Sequence, residues 1–125
     1  MRKVFTLLVL FCAAVSACQR TTHPTYDVVV YGGTSAGIIA AYSAIRLGHS
    51  VLLVSPTKHL GGLTTGGLGY TDIGNKYAIQ GLALDFYRRV GAKYGVLEQW
   101  IFEPHVAREV FDDYIRNGQI EIISD

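Results

Sequence analysis

Six consecutive residues, GGTSAG at positions 32–37, have the composition of a turn that binds phosphate. In the G-x-G-x-x-G fingerprint, the first glycine makes a tight turn and the second lets a pyrophosphate approach, while the third lets a helix pack closely on a strand. Gly32 and Gly37 occupy the first and third positions, and Thr34 occupies the second. A helix that begins near Ser35 would direct its free N–H groups and positive dipole end at the same anion. The segment is therefore predicted to bind the pyrophosphate of a dinucleotide.

The sequence on both sides of this turn predicts the elements that position it. Residues 26–31 (YDVVVY) form a continuous apolar, β-branched run, which is typical of a strand buried on both faces of a parallel sheet. A helix from near Ser35 to Gly48 follows, and then residues 51–54 (VLLV) form a second buried strand. The predicted fold class is therefore α/β, a Rossmann-like nucleotide-binding βαβ unit with a parallel sheet.

Further elements are predicted downstream. Residues 56–74 form a glycine-rich loop whose length indicates a functional loop. Two helices are predicted next, one with apolar residues every three or four positions between 79 and 90, and one from 104 to 118. Residues 119–124 (QIEIIS) read as a third strand. Three buried strands need further strands and covering helices, so residues 26–125 are expected to be an incomplete domain, the N-terminal part of a longer protein.

The end of the second strand departs from the usual nucleotide-binding pattern. Such folds commonly place Asp or Glu there, where the carboxylate accepts hydrogen bonds from the ribose hydroxyls. This chain has Ser55, whose hydroxyl offers fewer acceptors than a carboxylate. Lys58 follows nearby and would tolerate a 2′-phosphate, so binding of NADP stays open as an interpretation.

The N-terminus predicts export and lipid attachment. Residues 1–17 (MRKVFTLLVLFCAAVSA) have two cations before an apolar run that is too short to span a bilayer, the layout of a signal peptide. Residues 15–18 (VSAC) resemble the lipobox of bacterial lipoproteins, in which the cysteine, here Cys18, is lipidated. Residues 18–25 then form a tether. The expected location is the bacterial cell envelope, with the protein exported and held at a membrane by its lipid.

The chain resembles a known family over essentially all of residues 26–125. The strand, GGTSAG loop, helix and second strand, followed by HLGGLTTGGLGYTD at 59–72, resemble the FAD-dependent oxidoreductases of the glutathione-reductase-like flavoprotein superfamily. Within it, the chain is most similar to a secreted bacterial group with a GGTSAG loop, some of whose members are labelled xanthan lyase. The stretch FEPHVAREVFDDYIRNGQIEIISD at 102–125 resembles the same group. The most specific part is the doublet Gly61-Gly62 with its TTGG continuation.

This resemblance implies FAD as the cofactor and oxidoreduction as the activity. In the family, the first loop holds the pyrophosphate and the second runs along the phosphates toward the flavin. Thr34 and Ser55 differ from the commoner family pattern but remain in the predicted set. The implied cofactor-binding residues are Gly32, Gly33, Thr34, Ser35, Ala36, Gly37, Ser55, Gly61, Gly62, Leu63 and Thr64. Because the flavin does the redox chemistry, no catalytic residue is named, and substrate-binding residues are expected beyond Asp125.

Composition and residue spacing limit the possible partners. The formal net charge is +1 and 50% of the residues are hydrophobic, so the sequence shows no basic footprint for nucleic acid. The expected partners are a small-molecule or carbohydrate-related substrate, and a membrane through the N-terminal lipid. His23, His49 and His105 are isolated from other ligand types, so no metal site is predicted. His59 lies in the cofactor-side loop, where a solvated position is favoured over a phosphate contact.

Two alternative functions stay open at this point. The first is an NAD(P)-binding dehydrogenase, which Ser55 and Lys58 favour and the Gly61-Gly62 loop disfavours. The second is a non-redox, glycan-related lipoprotein that retains the nucleotide-binding fold. The visible spectrum of a bound flavin would separate both from the leading hypothesis.

Overall fold

The computed structural model describes residues 24–125. The predicted signal peptide (1–17), the lipidation site Cys18, His23 and most of the tether (18–25) lie outside the described residues.

Three short strands form one parallel sheet in the order β1-β2-β3. Their bounds are Val28–Tyr31 for β1, Val51–Ser55 for β2 and Glu121–Ser124 for β3. The register places Val28 opposite Val51, and Leu53 opposite Ile122. The predicted α/β fold with a parallel sheet is confirmed, although β1 and β3 each begin two residues later than predicted.

Helices connect the strands, as parallel pairing requires. Their bounds are Ser35–Arg46 for α1, Gly62–Gly66 for the short α2, Gly81–Lys93 for α3 and Pro104–Gly118 for α4, with one 3₁₀ turn at Lys76–Ala78. Within residues 24–125, no helix combines the length and the apolar character needed to cross a membrane.

Two local predictions are wrong. The stretch 56–74 is not a loop throughout, because α2 forms inside it. Gly61 and Gly62 have φ values of +94° and +57°, a conformation open to glycine, and this lets the chain turn into the short helix. Ile79 does not lie on a helix: it is in extended backbone, and α3 begins only at Gly81.

The described elements bury one face of the sheet rather than both. Helix α1 packs on β1 and β2, and α4 packs against α1, so Val51 and Leu53 are in the core. On the other face, Val29, Tyr31 and Ile123 are 59%, 77% and 55% exposed. The helices of residues 24–125 thus lie on one side of the sheet, and burial of the strands on the second face stays a prediction for the longer protein.

A polar contact joins α3 to α4 at the edge of this core. The hydroxyl of Tyr114, whose side chain is fully buried, donates to Asp85 Oδ2 at 2.6 Å, and Arg89 Nε donates to the same oxygen at 2.7 Å. Desolvation works to raise the pKa of Asp85, but these hydrogen bonds outweigh it and the pKa is lowered. The stabilisation from Asp85 is thus fully present above the ordinary carboxyl pKa of about 4 and is lost as the pH falls through the lowered value.

Tyr114→Phe is expected to reduce the free energy of unfolding by about 1 kcal/mol. The ring stays in place, but one hydrogen bond to a charged and partly exposed acceptor is lost. Urea denaturation at neutral pH measures the change, with Tyr77→Phe as the control because Tyr77 is on the surface. The difference in unfolding free energy between Tyr114→Phe and wild type should become smaller when the urea denaturation is repeated below the pKa of Asp85. Equal stability of Tyr114→Phe and wild type at neutral pH would contradict this assignment.

Candidate cofactor-binding site

The first loop turns directly from the end of β1 into α1. Gly32 has a φ of +114°, a backbone angle that residues other than glycine rarely adopt. Its N–H donates to the Val54 carbonyl at 2.7 Å. Thr34 is the N-cap of α1, because its Oγ1 accepts from the N–H of Gly37 at 3.2 Å. The threonine at the second fingerprint position therefore has a structural role as a helix cap.

The start of α1 lies at the surface, where Thr34 and Ala36 are exposed. The N–H groups of Ser35 and Ala36 precede the first intrahelical bond, and no acceptor meets them in the part of the chain that the structure describes. A Cβ placed on Gly32 would meet no atom within 4 Å. The loop thus presents free donors and open space together, which is the arrangement that a phosphate needs.

Gly37 is required by close packing. A Cβ at this position would lie 2.0 Å from the carbonyl oxygen of Gly32, so no side chain fits without a backbone shift. This is the role that the fingerprint assigns to its third glycine, the close approach of helix and strand.

The second loop lies directly beside the first. The N–H of Gly61 donates to the Gly33 carbonyl at 2.7 Å, and Thr34 forms a parallel bridge with Gly61. The Ser35 hydroxyl donates to the Gly61 carbonyl at 2.7 Å, and it shares a hydrogen bond with the Thr64 hydroxyl at 2.9 Å. The structure therefore brings together the two segments that the sequence pointed to, although they are more than twenty residues apart.

Two predicted site residues offer no free side-chain donor to a ligand. Ser55 is only 3% exposed, and it lies so close under the first loop that a Cβ on Gly33 would come within 2.6 Å of its Oγ. Its hydroxyl donates to the Thr57 carbonyl at 2.7 Å, so that donor is already used within the chain. Leu63 is 73% exposed at the surface of the second loop. A contact of Ser55 with the ribose stays a prediction.

Three residues outside the predicted set support the second loop. Thr65 is buried and donates to the Leu60 carbonyl at 2.5 Å. His59 lies within hydrogen-bonding distance of both Gly62 and Thr65, and Arg108 of α4 reaches His59. No local pattern could have indicated Arg108, because its partner lies 49 residues earlier in the sequence.

A mainly apolar groove opens beside the first loop, between α1 and α3. Its volume is about 510 Å³, and Ser35 and Ala36 are among the residues that line it. Phe86 and Phe111 contribute aromatic surface to its lining. Within residues 24–125, no three potential metal ligands come together. The loops 32–37 and 61–64 contain no ionisable side chain, so the polar groups that they offer to a ligand are backbone groups and hydroxyls.

Comparisons with known proteins agree with this geometry. The sequence model of the family described as FAD dependent oxidoreductase matches residues 27–125. That range includes both loops and every element of the fold. The chain belongs to the FAD-dependent oxidoreductase family. The cofactor of the family is FAD, and the fold is the Rossmann-like FAD-binding fold.

Solved structures show the same fold at low sequence identity. Oxidized steroid monooxygenase bound to NADP is 15% identical with a TM-score of 0.53, and the match covers 81% of this chain and 19% of that one. THI4 from Thermovibrio ammonificans is 13% identical with a TM-score of 0.54, and the match covers 99% of this chain and 46% of that one. The chain thus spans less than half of either structure. No curated protein sequence matches it significantly.

The residues of the site fit the diphosphate of FAD. The N–H groups of Ser35 and Ala36 have no acceptor among the described residues, there is open space beside Gly32, and Gly37 allows the close packing of the helix start on the loop. Within the family, these groups would hold the phosphates, and the bound flavin would supply the redox chemistry. The chain's own contribution is to bind and orient the cofactor.

Gly37→Ala is expected to weaken FAD binding at least about tenfold and to destabilise the protein by about 1–3 kcal/mol, because the new methyl group overlaps the Gly32 carbonyl and α1 must move. Titration of FAD into the apo-protein by fluorescence quenching measures the first effect, and urea denaturation measures the second. Gly74→Ala is the matched control, since a Cβ there meets nothing within 4 Å. Wild-type affinity in Gly37→Ala would show that the first loop does not contact the cofactor.

Proposed function

We propose that this protein is an FAD-dependent oxidoreductase of the bacterial cell envelope, attached to a membrane through a lipid on Cys18. The observation that carries the redox part is the junction of the two loops: the Ser35 hydroxyl bonds to the Gly61 carbonyl next to the free N–H groups of α1. Two loops that meet at one helix N-terminus form a continuous surface for the phosphates of a dinucleotide.

Backbone donors have to supply most of the affinity. Neither loop carries a cationic side chain, and Ser55 replaces the carboxylate that usually binds the ribose. Each amide donor that faces an anionic phosphate forms a charge-assisted bond, which is about twice as strong as a neutral one. The free amide donors that we assign to the cofactor are those of Ser35 and Ala36, since the N–H of Gly61 is already bonded to the Gly33 carbonyl.

The envelope location is supported by the sequence. The apolar run after Arg2 and Lys3 is too short for a transmembrane helix and ends in the VSAC tetrapeptide at 15–18. Export would remove residues 1–17, and the polar residues that follow Cys18 would separate the lipid from the folded part.

The substrate is proposed as a small molecule or a carbohydrate-related compound. The GGTSAG loop and the HLGGLTTGGLG segment support membership in the secreted bacterial group that includes proteins labelled xanthan lyase. An NADP-dependent dehydrogenase is the competing assignment, and Lys58 at the surface near Ser55 is the feature that favours it.

One experiment tests both halves of the proposal. The intact protein and a Cys18→Ser variant are expressed in a bacterial host, fractionated, washed with carbonate and purified. We expect wild type in the membrane fraction with the visible spectrum of oxidised flavin, and FAD as the nucleotide released on denaturation. Cys18→Ser should appear in the soluble fraction with the same flavin content, because the lipid and the cofactor sites are separate.

The outcomes separate the two claims. A Cys18→Ser protein that stays membrane-bound after the wash would contradict the lipid anchor but leave the flavin assignment intact. A protein that releases NADP, or that binds no nucleotide, would contradict the FAD-dependent activity whatever its location.

A further inference from the structure

A side-chain bridge joins α4 to the second loop. Arg108 places its Nη2 2.8 Å from Nδ1 of His59. The other ring nitrogen, Nε2, lies 3.2 Å from the Gly62 carbonyl and 3.1 Å from the Thr65 hydroxyl. The bridge therefore connects a helix of the core to the segment that carries the second set of cofactor-binding residues.

The donors and acceptors of this bridge define the tautomer of His59. A guanidinium group can only donate, so Nδ1 must accept and the neutral ring carries its proton on Nε2. The Thr65 hydroxyl donates to the Leu60 carbonyl at 2.5 Å, which leaves its oxygen free to accept from Nε2. The single Nε2–H is then shared between the Gly62 carbonyl and the Thr65 hydroxyl oxygen, so His59 connects Arg108 to both of these atoms.

Helix α4 meets the second loop at two points with different roles. Phe111 packs under Gly61, and a Cβ on that glycine would lie 3.0 Å from its ring. Apolar packing of this kind fills space but does not fix the direction of a peptide group. The bridge through His59 is directional, because its ring N–H is held by two particular oxygens, the Gly62 carbonyl and the Thr65 hydroxyl. Of the two contacts from α4, the bridge is the one that can select a conformation of the loop.

We propose that Arg108 and His59 are positioning residues for FAD: by holding the Gly62 carbonyl, they keep the second loop in the conformation that receives the cofactor. The inference rests on the proposed function, and it adds two residues that lie outside the cofactor-binding segments 32–37 and 61–64. Neither side chain needs to touch FAD. Their effect passes through Gly62 and Thr65 to the residues bonded to Ser35.

Four variants test this proposal by FAD titration, each compared with wild type. His59→Leu and Arg108→Ala should each raise the Kd about tenfold, since each removes the bridge. The Kd of the double variant should be no higher than that of the weaker-binding single variant, because both substitutions break the same hydrogen-bonded bridge. His59→Gln should stay within about threefold of wild type, because its amide can accept from Arg108 and donate to Gly62.

The control is Arg116→Ala, in the last turn of the same helix, where the arginine pairs with Asp113. It should leave the Kd unchanged. Urea denaturation of the apo forms serves as the second measurement, because a bridge with a merely structural role would lower apo stability without changing the Kd. Arg108 is partly exposed, so we expect Arg108→Ala to fold. Its Kd therefore tests the positioning role even if His59→Leu does not fold.

The outcomes distinguish a failure of the proposed function from a failure of the positioning role. If wild type binds no FAD, the proposed function fails and this inference fails with it. If wild type binds FAD and Arg108→Ala binds it equally well, only the positioning role is overturned. A His59→Gln protein as weak as His59→Leu would also overturn it, since hydrogen bonding would then not be the property that matters.

Discussion

The hydroxyl of Ser35 joins the two glycine loops, and the geometry of the site depends on this contact. It lies in the first turn of α1 and bonds to both Gly61 and Thr64. A typical hydrogen bond contributes only about 1 kcal/mol net, while ordering one residue of backbone costs about 1–2 kcal/mol. Ser35 therefore cannot order the second loop alone. The bond from Gly61 to the Gly33 carbonyl, the packing of Phe111 and the bridge through His59 also hold the loop.

The rest of the fold places this contact where a cofactor can use it. The Gly32 N–H is bonded to the end of β2, so the first loop is fixed to the sheet. Gly37 brings α1 so close to that loop that the helix start cannot shift without moving the strand. Helix α4 supports the second loop from the other side. The site is thus a set of neutral donors held by rigid elements, which is how a fold without charged loop residues can bind phosphates.

The sequence predicted the first loop well because all of its determinants are contiguous. Strand, turn and helix follow each other within residues 28–46, and the glycine positions have local causes. The role of Thr34 also agrees with the general preference for threonine at helix N-caps. The second loop was expected near the cofactor only through the family resemblance. Its partner Ser35 lies 26 residues earlier, and no local pattern reports a contact over that distance.

Two features could not be predicted for physical reasons. A continuous apolar run such as YDVVVY is compatible with a strand covered on one face or on both, because periodicity says nothing about which helices pack on it. The bridge from Arg108 to His59 depends on the angle at which α4 crosses the second loop, which is a property of tertiary packing.

The central claim is that Ser35 holds the second loop against the first before any cofactor binds. The most direct test is the hydrogen-exchange rate of the Gly61 amide in the apo-protein, measured by NMR for wild type, Ser35→Ala and Ser43→Ala. Ser43 bonds only to Ile39 within its own helix and serves as the control. We predict that Gly61 exchanges about tenfold faster in Ser35→Ala and at the wild-type rate in Ser43→Ala. An unchanged exchange rate of the Gly61 amide in Ser35→Ala would contradict the claim, because the two loops would then be held together without the Ser35 hydroxyl.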